Sequence, residues 1–162
     1  MSKPIRQLLM EAILARFQGI TVANGYMTDI GNSTYLCRAV DPDVTELPFL
    51  NILDLDRQTK EVGMGQLATH EHTLTIAAQL MVAGSQPAVT IRQVEADLSK
   101  AIGEDRKWIT TDFPLGIGFY TVLTKSGFGQ DANGVRILGG YHFEFTVKYR
   151  TKAFDETKQP GQ

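Results

Sequence analysis

Two apolar stripes at helical spacing and several segments of alternating apolar and polar residues predict an α+β fold. The expected form is a single two-layer domain: two amphipathic helices packed on a mostly antiparallel β-sheet, with room for one parallel pair. The chain has 162 residues, which suits one domain, and 43% of them are hydrophobic, enough for one core. The order read along the chain is α-β-β-(β)-β-α-β-β over residues 1–153. A polar tail, 154–162, is expected to be flexible.

The first helix is expected over 3–18. Ile5, Leu8, Leu9, Ala12, Ile13 and Phe17 form one continuous stripe, Ser2 can cap it and Pro4 suits its first turn. Gly19 stands where a left-handed stop is wanted, and Ile20 and Val22 are expected to pack back. Asn24-Gly25 then turns the chain. Residues 34–40 read as a short strand and 47–56 as a second, with Pro48 suited only to its start or to an edge. "DRQTKE" reads as a polar reversal, with a weaker optional strand near 61–67.

Alternation is clearer over 71–82, where His72, Leu74, Ile76, Ala78, Leu80 and Val82 share one face. The second helix, 88–102, carries Ile91, Val94, Leu98, Ala101 and Ile102 on its apolar stripe, and Gly103 follows as a natural stop. A strand is expected near 115–125, so the strand–helix–strand unit over 71–125 allows a parallel pair by right-handed crossover. The last strand alternates most cleanly: Tyr141, Phe143, Phe145, Val147 and Tyr149 against His142, Glu144, Thr146, Lys148 and Arg150. "SGFGQDANG" between the last two strands reads as a hairpin connection.

Chemistry is sparse. A formal charge of −2 gives no basic field for nucleic acid. Cys37, alone in the chain, can form neither an internal disulfide nor a thiolate cage, and its apolar neighbours suggest a buried thiol. No apolar run is long enough for a membrane span, charges interrupt the N-terminal stripe, and the chain is expected to be made in the cytoplasm. His70-Glu71-His72 is the one metal-like cluster, but a third ligand is missing unless His142 supplies it, and partly exposed histidines at a strand start are the plainer reading. "GFGQDA" at 127–132 matches a loose dinucleotide pattern, yet a strand follows where a helix would be needed. Asp54 and Asp56 approach a polar turn and read as solvated charges. No catalytic residue, cofactor or metal is therefore expected. Trp108, Phe113 and Phe128 sit in connections, where an aromatic either serves an interface or tucks under its own domain.

The order of weak motifs is more informative. The opening helix running into "ITVANGYMTDIG", then "LPFLNI", "TLTIAAQLMVAG", "IRQVEADLSKAIG" and the closing "YHFEFTVKYRT" resembles bacteriophage tail terminator (tail completion) proteins over about residues 4–152. The resemblance implies a structural virion protein without catalytic residues. It would form a homo-oligomeric ring, commonly a hexamer, that caps the head-proximal end of the tail tube, stops its polymerisation and offers a surface for head attachment. Implied partners are a second copy of the chain, the tube protein and a head-completion protein, with DNA only passing through the ring. A head–tail joining component is the alternative within the virion, and a small enzyme or ligand-binding module the alternative outside it. Assembly contacts are expected at 24–33, through Tyr26, Met27, Asp29 and Asn32, and at 126–134, through Phe128, Gln130, Asp131 and Asn133.

Overall fold

In chain order the elements are α1 (Ile5–Gln18), β1 (Thr34–Leu36), β2 (Phe49–Val62), β3 (Thr69–Val82), α2 (Pro87–Glu104), β4 (Gly118–Phe128) and β5 (Gly139–Lys152). Single 3-10 turns stand at Val22–Asn24, Ile30–Ser33 and Val44–Glu46. The structure, a computed structural model, describes residues 3–40, 42–65, 68–83, 87–128 and 139–161. Ser2, Gln130, Asp131 and Asn133 lie outside the described residues.

The five strands form one mixed sheet in the order β1-β2-β3-β5-β4. β2 and β4 flank a central β3–β5 pair, and all three of these contacts are antiparallel. β1 is parallel to β2. The parallel pair expected from the 71–125 unit does not form, because β5 inserts between β3 and β4 and pairs with both.

Alternation builds the core. Leu74, Ile76, Ala78, Leu80 and Val82 of β3 are buried beside Tyr141, Phe143, Phe145, Val147 and Tyr149 of β5. Ile5, Leu9, Ile13 and Phe17 of α1 and Ile91, Val94, Leu98 and Ala101 of α2 belong to the same cluster. Each Val, Leu, Ile or Phe among them contributes about 1.5–3 kcal/mol on burial. Trp108 completes the cluster with no exposed surface. Its ring meets Phe17 edge-on at 6.5 Å and stacks on Phe145 at 6.3 Å, the Arg16 guanidinium lies 4.3 Å above it, and its Nε1–H donates to Thr121 Oγ1 at 2.9 Å. Of the two readings left open for Trp108, the tucked one holds.

Several local expectations are corrected. β2 continues through "DRQTKE", so the reversal does not exist, and among the described residues of 61–67 there is no separate strand. A bulge at Leu55 shifts the register between Asp54 and Asp56. Asp54 then faces the same side as Arg57 and Thr59, and the sequence alternation is lost. Asp54 is not a solvated strand end: Arg6 of α1 pairs with it. β1 is only three residues long, and Cys37 is exposed rather than buried, because its φ of 50° turns the chain out of the strand. Gly19 is right-handed; the left-handed glycine is Gly25, at φ 84°. Val22 is 55% exposed. Gly103 does not stop α2, which runs on to Glu104.

The helix start is also different. Pro4 occupies the N-cap of α1 with no side-chain cap, and the free Ile5 N–H donates to Glu156 O at 2.8 Å. Residues 154–161 thus fold back on the domain. Arg57 pairs with Glu156 at 2.8 Å, Lys152 N–H donates to Lys158 O at 2.9 Å, and Gln159 Nε2 donates to Ile117 O at 3.1 Å.

Two glycines test this packing with opposite signs. A Cβ on Gly31 would lie 2.4 Å from Gln18 O and 2.7 Å from Ile20 O, both rigid backbone. Gly31→Ala is expected to cost about 1–3 kcal/mol in urea unfolding. Gly103 lies in α2 with nothing within 4 Å of a Cβ. Gly103→Ala is expected to gain about 0.4–1 kcal/mol.

Candidate functional site

The corner between α1 and β1 is a tightly bonded structure. Gly25 N–H donates to Val22 O at 3.0 Å, Tyr26 N–H to Thr21 O at 3.2 Å and Gly31 N–H to Ile20 O at 2.9 Å. Asn24 Nδ2 reaches back to Gly19 O at 2.8 Å, and Asp29 Oδ1 accepts from Val22 N–H at 2.9 Å. Asn24, Gly25 and Asp29 are therefore used inside the corner, as turn chemistry requires.

α2 holds the corner from outside through three residues on one side of the helix. Asp97 is 2% exposed, and it accepts from Met27 N–H at 2.9 Å, Thr28 N–H at 2.9 Å and Thr28 Oγ1 at 2.7 Å. One helical turn on, Lys100 Nζ donates to Gly25 O at 2.8 Å and stands 4.5 Å from the Tyr26 ring centre. One further turn on, Glu104 accepts from the Tyr26 hydroxyl at 3.0 Å. Burial first, and then the Glu104 carboxylate, push the Tyr26 phenol above its ordinary pKa of 10.0.

These bonds sort the residues expected to make contacts. Tyr26 is half-buried against the core and serves to hold the corner. Met27 is 65% exposed, and Asp29 and Asn32 are exposed beside it. Met27 thus projects from a segment whose own amide is fixed by a buried carboxylate. Phe128 ends β4 opposite Tyr141, about a strand's length from the start of that strand, and Gln130, Asp131 and Asn133 lie outside the described residues. Asp97, Lys100 and Glu104 had a visible signal, a 97/100/104 spacing on one helix side, but nothing in the sequence indicated what they would meet.

The histidine pair has a structural setting. His72 is 1% exposed, not a partly exposed strand-start residue, with Nδ1 2.9 Å from Thr59 Oγ1 and Nε2 2.9 Å from Thr151 Oγ1. It stacks on Tyr149 at 4.7 Å, and His70 meets it edge-on at 6.0 Å. Both ring nitrogens are occupied by hydroxyls, and His142 stands opposite Gln79 on the other sheet face. Among the described residues no three His, Cys, Asp or Glu side chains converge as a metal site, and no helix is long and apolar enough to cross a membrane. A shallow cleft of about 220 Å³ runs between 115–119 and Gln159-Pro160. The charged group on its wall, Arg150, is paired with Glu71 at 2.8 Å and lies over Phe119.

No protein-family model matches the sequence, and no curated protein matches it.

Two measurements check that geometry. Asp97→Asn replaces an acceptor oxygen by an NH₂ that faces a donor. It is expected to cost about 1–3 kcal/mol and to speed hydrogen exchange at the Met27 and Thr28 amides. Unchanged protection there would remove the clamp.

Burial, and then the Arg57 guanidinium, hold the His72 pKa below its ordinary 6.5, with Glu156 opposing them. The unfolded chain then takes up the proton more readily than the folded one. This stability contribution is complete above pH 6.5 and is lost as pH falls from 6.5 toward the lower folded value. Urea unfolding of the native chain should weaken in that interval, and His72→Gln should flatten the dependence.

Proposed function

We propose that the chain is a structural, non-enzymatic virion protein: a tail terminator. It assembles as a homo-oligomeric ring, commonly six-fold, on the head-proximal end of a phage tail tube. The ring stops tube growth and offers the surface that a head-completion protein meets, while DNA passes through it. The resemblance of the sequence supplies the role. The observation that carries it to particular residues is the corner at 21–33, where a buried carboxylate fixes the backbone of an exposed methionine.

A pre-organised, partly apolar projection suits recognition by another protein, because little conformational freedom is lost on contact. Its groups are spent on holding shape, and none is arranged to move a proton or attack a substrate. The packing supports a two-layer subunit with helices on one sheet face, which leaves the other face and the edges to neighbours. A ring closes through heterologous contacts between two different surfaces of one subunit. A net charge of −2 also suits a channel that must let DNA pass without holding its phosphates.

The test is addition of purified protein to growing tail tubes. Capped tubes with a ring at one end are the expected result, and unchanged tube length would overturn the reading. Met27→Asp is expected to cap poorly while its unfolding stability stays within about 0.5 kcal/mol of the native chain. Full capping by that variant would take the corner out of the tube contact.

A further inference from the structure

The sheet has two outer edges, each partly covered, and they differ: on β1, Gln18 Nε2 donates to Thr34 O at 3.3 Å. β4 is eleven residues long and lies outermost on one side. Its first residues are covered, since Gly118 N–H donates to Lys107 O at 3.0 Å. Beyond Gly118, among the described residues, no backbone bond from outside the sheet reaches β4. Apolar side chains remain exposed along it: Phe119 at 42%, Tyr120 at 51% and Leu123 at 47%. Tyr120 stands opposite Lys148 and Leu123 opposite Phe145, so the two lie on opposite sheet faces. A strand laid against this edge would cover both.

On the far side β1 is three residues long, with Tyr35 37% exposed and stacked on Phe49 at 5.2 Å. The lengths agree more closely than they first suggest. Bulges between Gly118 and Tyr120 and between Leu123 and Lys125 break the pairing of β4 into two four-residue runs, 120–123 and 125–128. A short regular segment thus faces outward on each edge, enough for a defined contact and too little for open-ended strand stacking.

Charge distinguishes the possible pairings. The β1 side carries Asp43, while Arg38 and Glu46 pair with each other at 3.0 Å. The β4 side carries Arg106, Lys107 and Lys125 against Asp112, while Asp105 is paired with Arg16 at 2.7 Å. Opposite edges therefore have opposite sign, and a β4–β4 contact would bring like charges together.

We infer that the outer edge of β4 pairs with β1 of a second copy, head to tail, so that one sheet continues from subunit to subunit. The inference deepens the ring reading and rests on it for closure of the contacts.

The sequence provides its own reporter. Cys37, the single cysteine, is exposed directly after β1. Leu123→Cys and Tyr120→Cys place a second thiol on each face of the β4 edge. Under mild oxidation, alone and with tail tubes, at least one variant should give a ladder of covalent multimers on a non-reducing gel. The native chain, and the same variants carrying Cys37→Ser, should give none. Dimers that persist with Cys37→Ser would show symmetric β4 pairing and overturn the inference. Ring-sized particles in solution, or capped tubes, without a ladder at either position would overturn it too, and would leave the ring reading standing. A ladder from chains that do not cap tubes would uphold the edge contact and remove the terminator role.

Discussion

Every other element depends on the pairing of β3 with β5. Fourteen residues of each run antiparallel without a register shift, from Thr69 opposite Lys152 to Val82 opposite Gly139. Because side chains alternate, this one register turns the even residues of β3 and the odd residues of β5 into a single apolar surface. A slip of one residue would bring Glu144, Thr146 and Lys148 beneath the helices and send Phe143, Phe145 and Val147 to solvent. The flanking strands are less strict. β2 and β4 both contain bulges, and each adapts its twist to a centre that is already fixed.

The central pair and the two helices were legible because burial writes a period into the sequence. What was missed follows where burial stops writing one. The second half of β2, from Asp56 to Val62, has polar or charged residues on both faces and is held by its ladder to β3. Lys60 opposite Glu71 leaves no apolar trace of a strand. The bulge at Leu55 hides the rest, since it reverses which residues face the helices. Trp108 looked like a loop aromatic because its burial comes from φ 57° and from partners contributed by α1, β4 and β5. Cys37 misled in the opposite direction: its apolar neighbours predicted burial, but a left-handed backbone ends the strand before it.

The corner was legible as a turn and not as a clamp. Asn24 and Gly25 announce the reversal by their own conformational preferences. Asp97 announces nothing. It sits among the buried residues of α2, between Val94 and Leu98, where an acid reads as an interruption of the stripe. Its partners are backbone amides about 70 residues away, and amides have no sequence identity. A buried carboxylate costs free energy unless donors satisfy it, and here three do. An apolar residue at 97 could fill the space but could not fix the direction in which residues 26–28 cross α2. The acid therefore specifies conformation more than it adds stability.

The chain closes one end of its own sheet. Where β3 begins and β5 ends, the segment after Lys152 turns back. Ala153 N–H donates to Ala68 O at 3.1 Å, Glu156 receives Arg57 and the first N–H of α1, and Gln159 reaches Ile117 O. His72, Thr59 and Thr151 lie beneath that segment as a satisfied polar layer. These named groups are already paired within one subunit, so a neighbour docking on them would have to displace existing bonds. The edges of β1 and β4 and the corner at Met27 hold fewer such bonds: Thr34 O accepts from Gln18 Nε2 at 3.3 Å, and Gly118 N–H donates to Lys107 O at 3.0 Å. In the proposed assembly the surfaces that meet partners are those that folding leaves ordered and exposed, away from the sealed end.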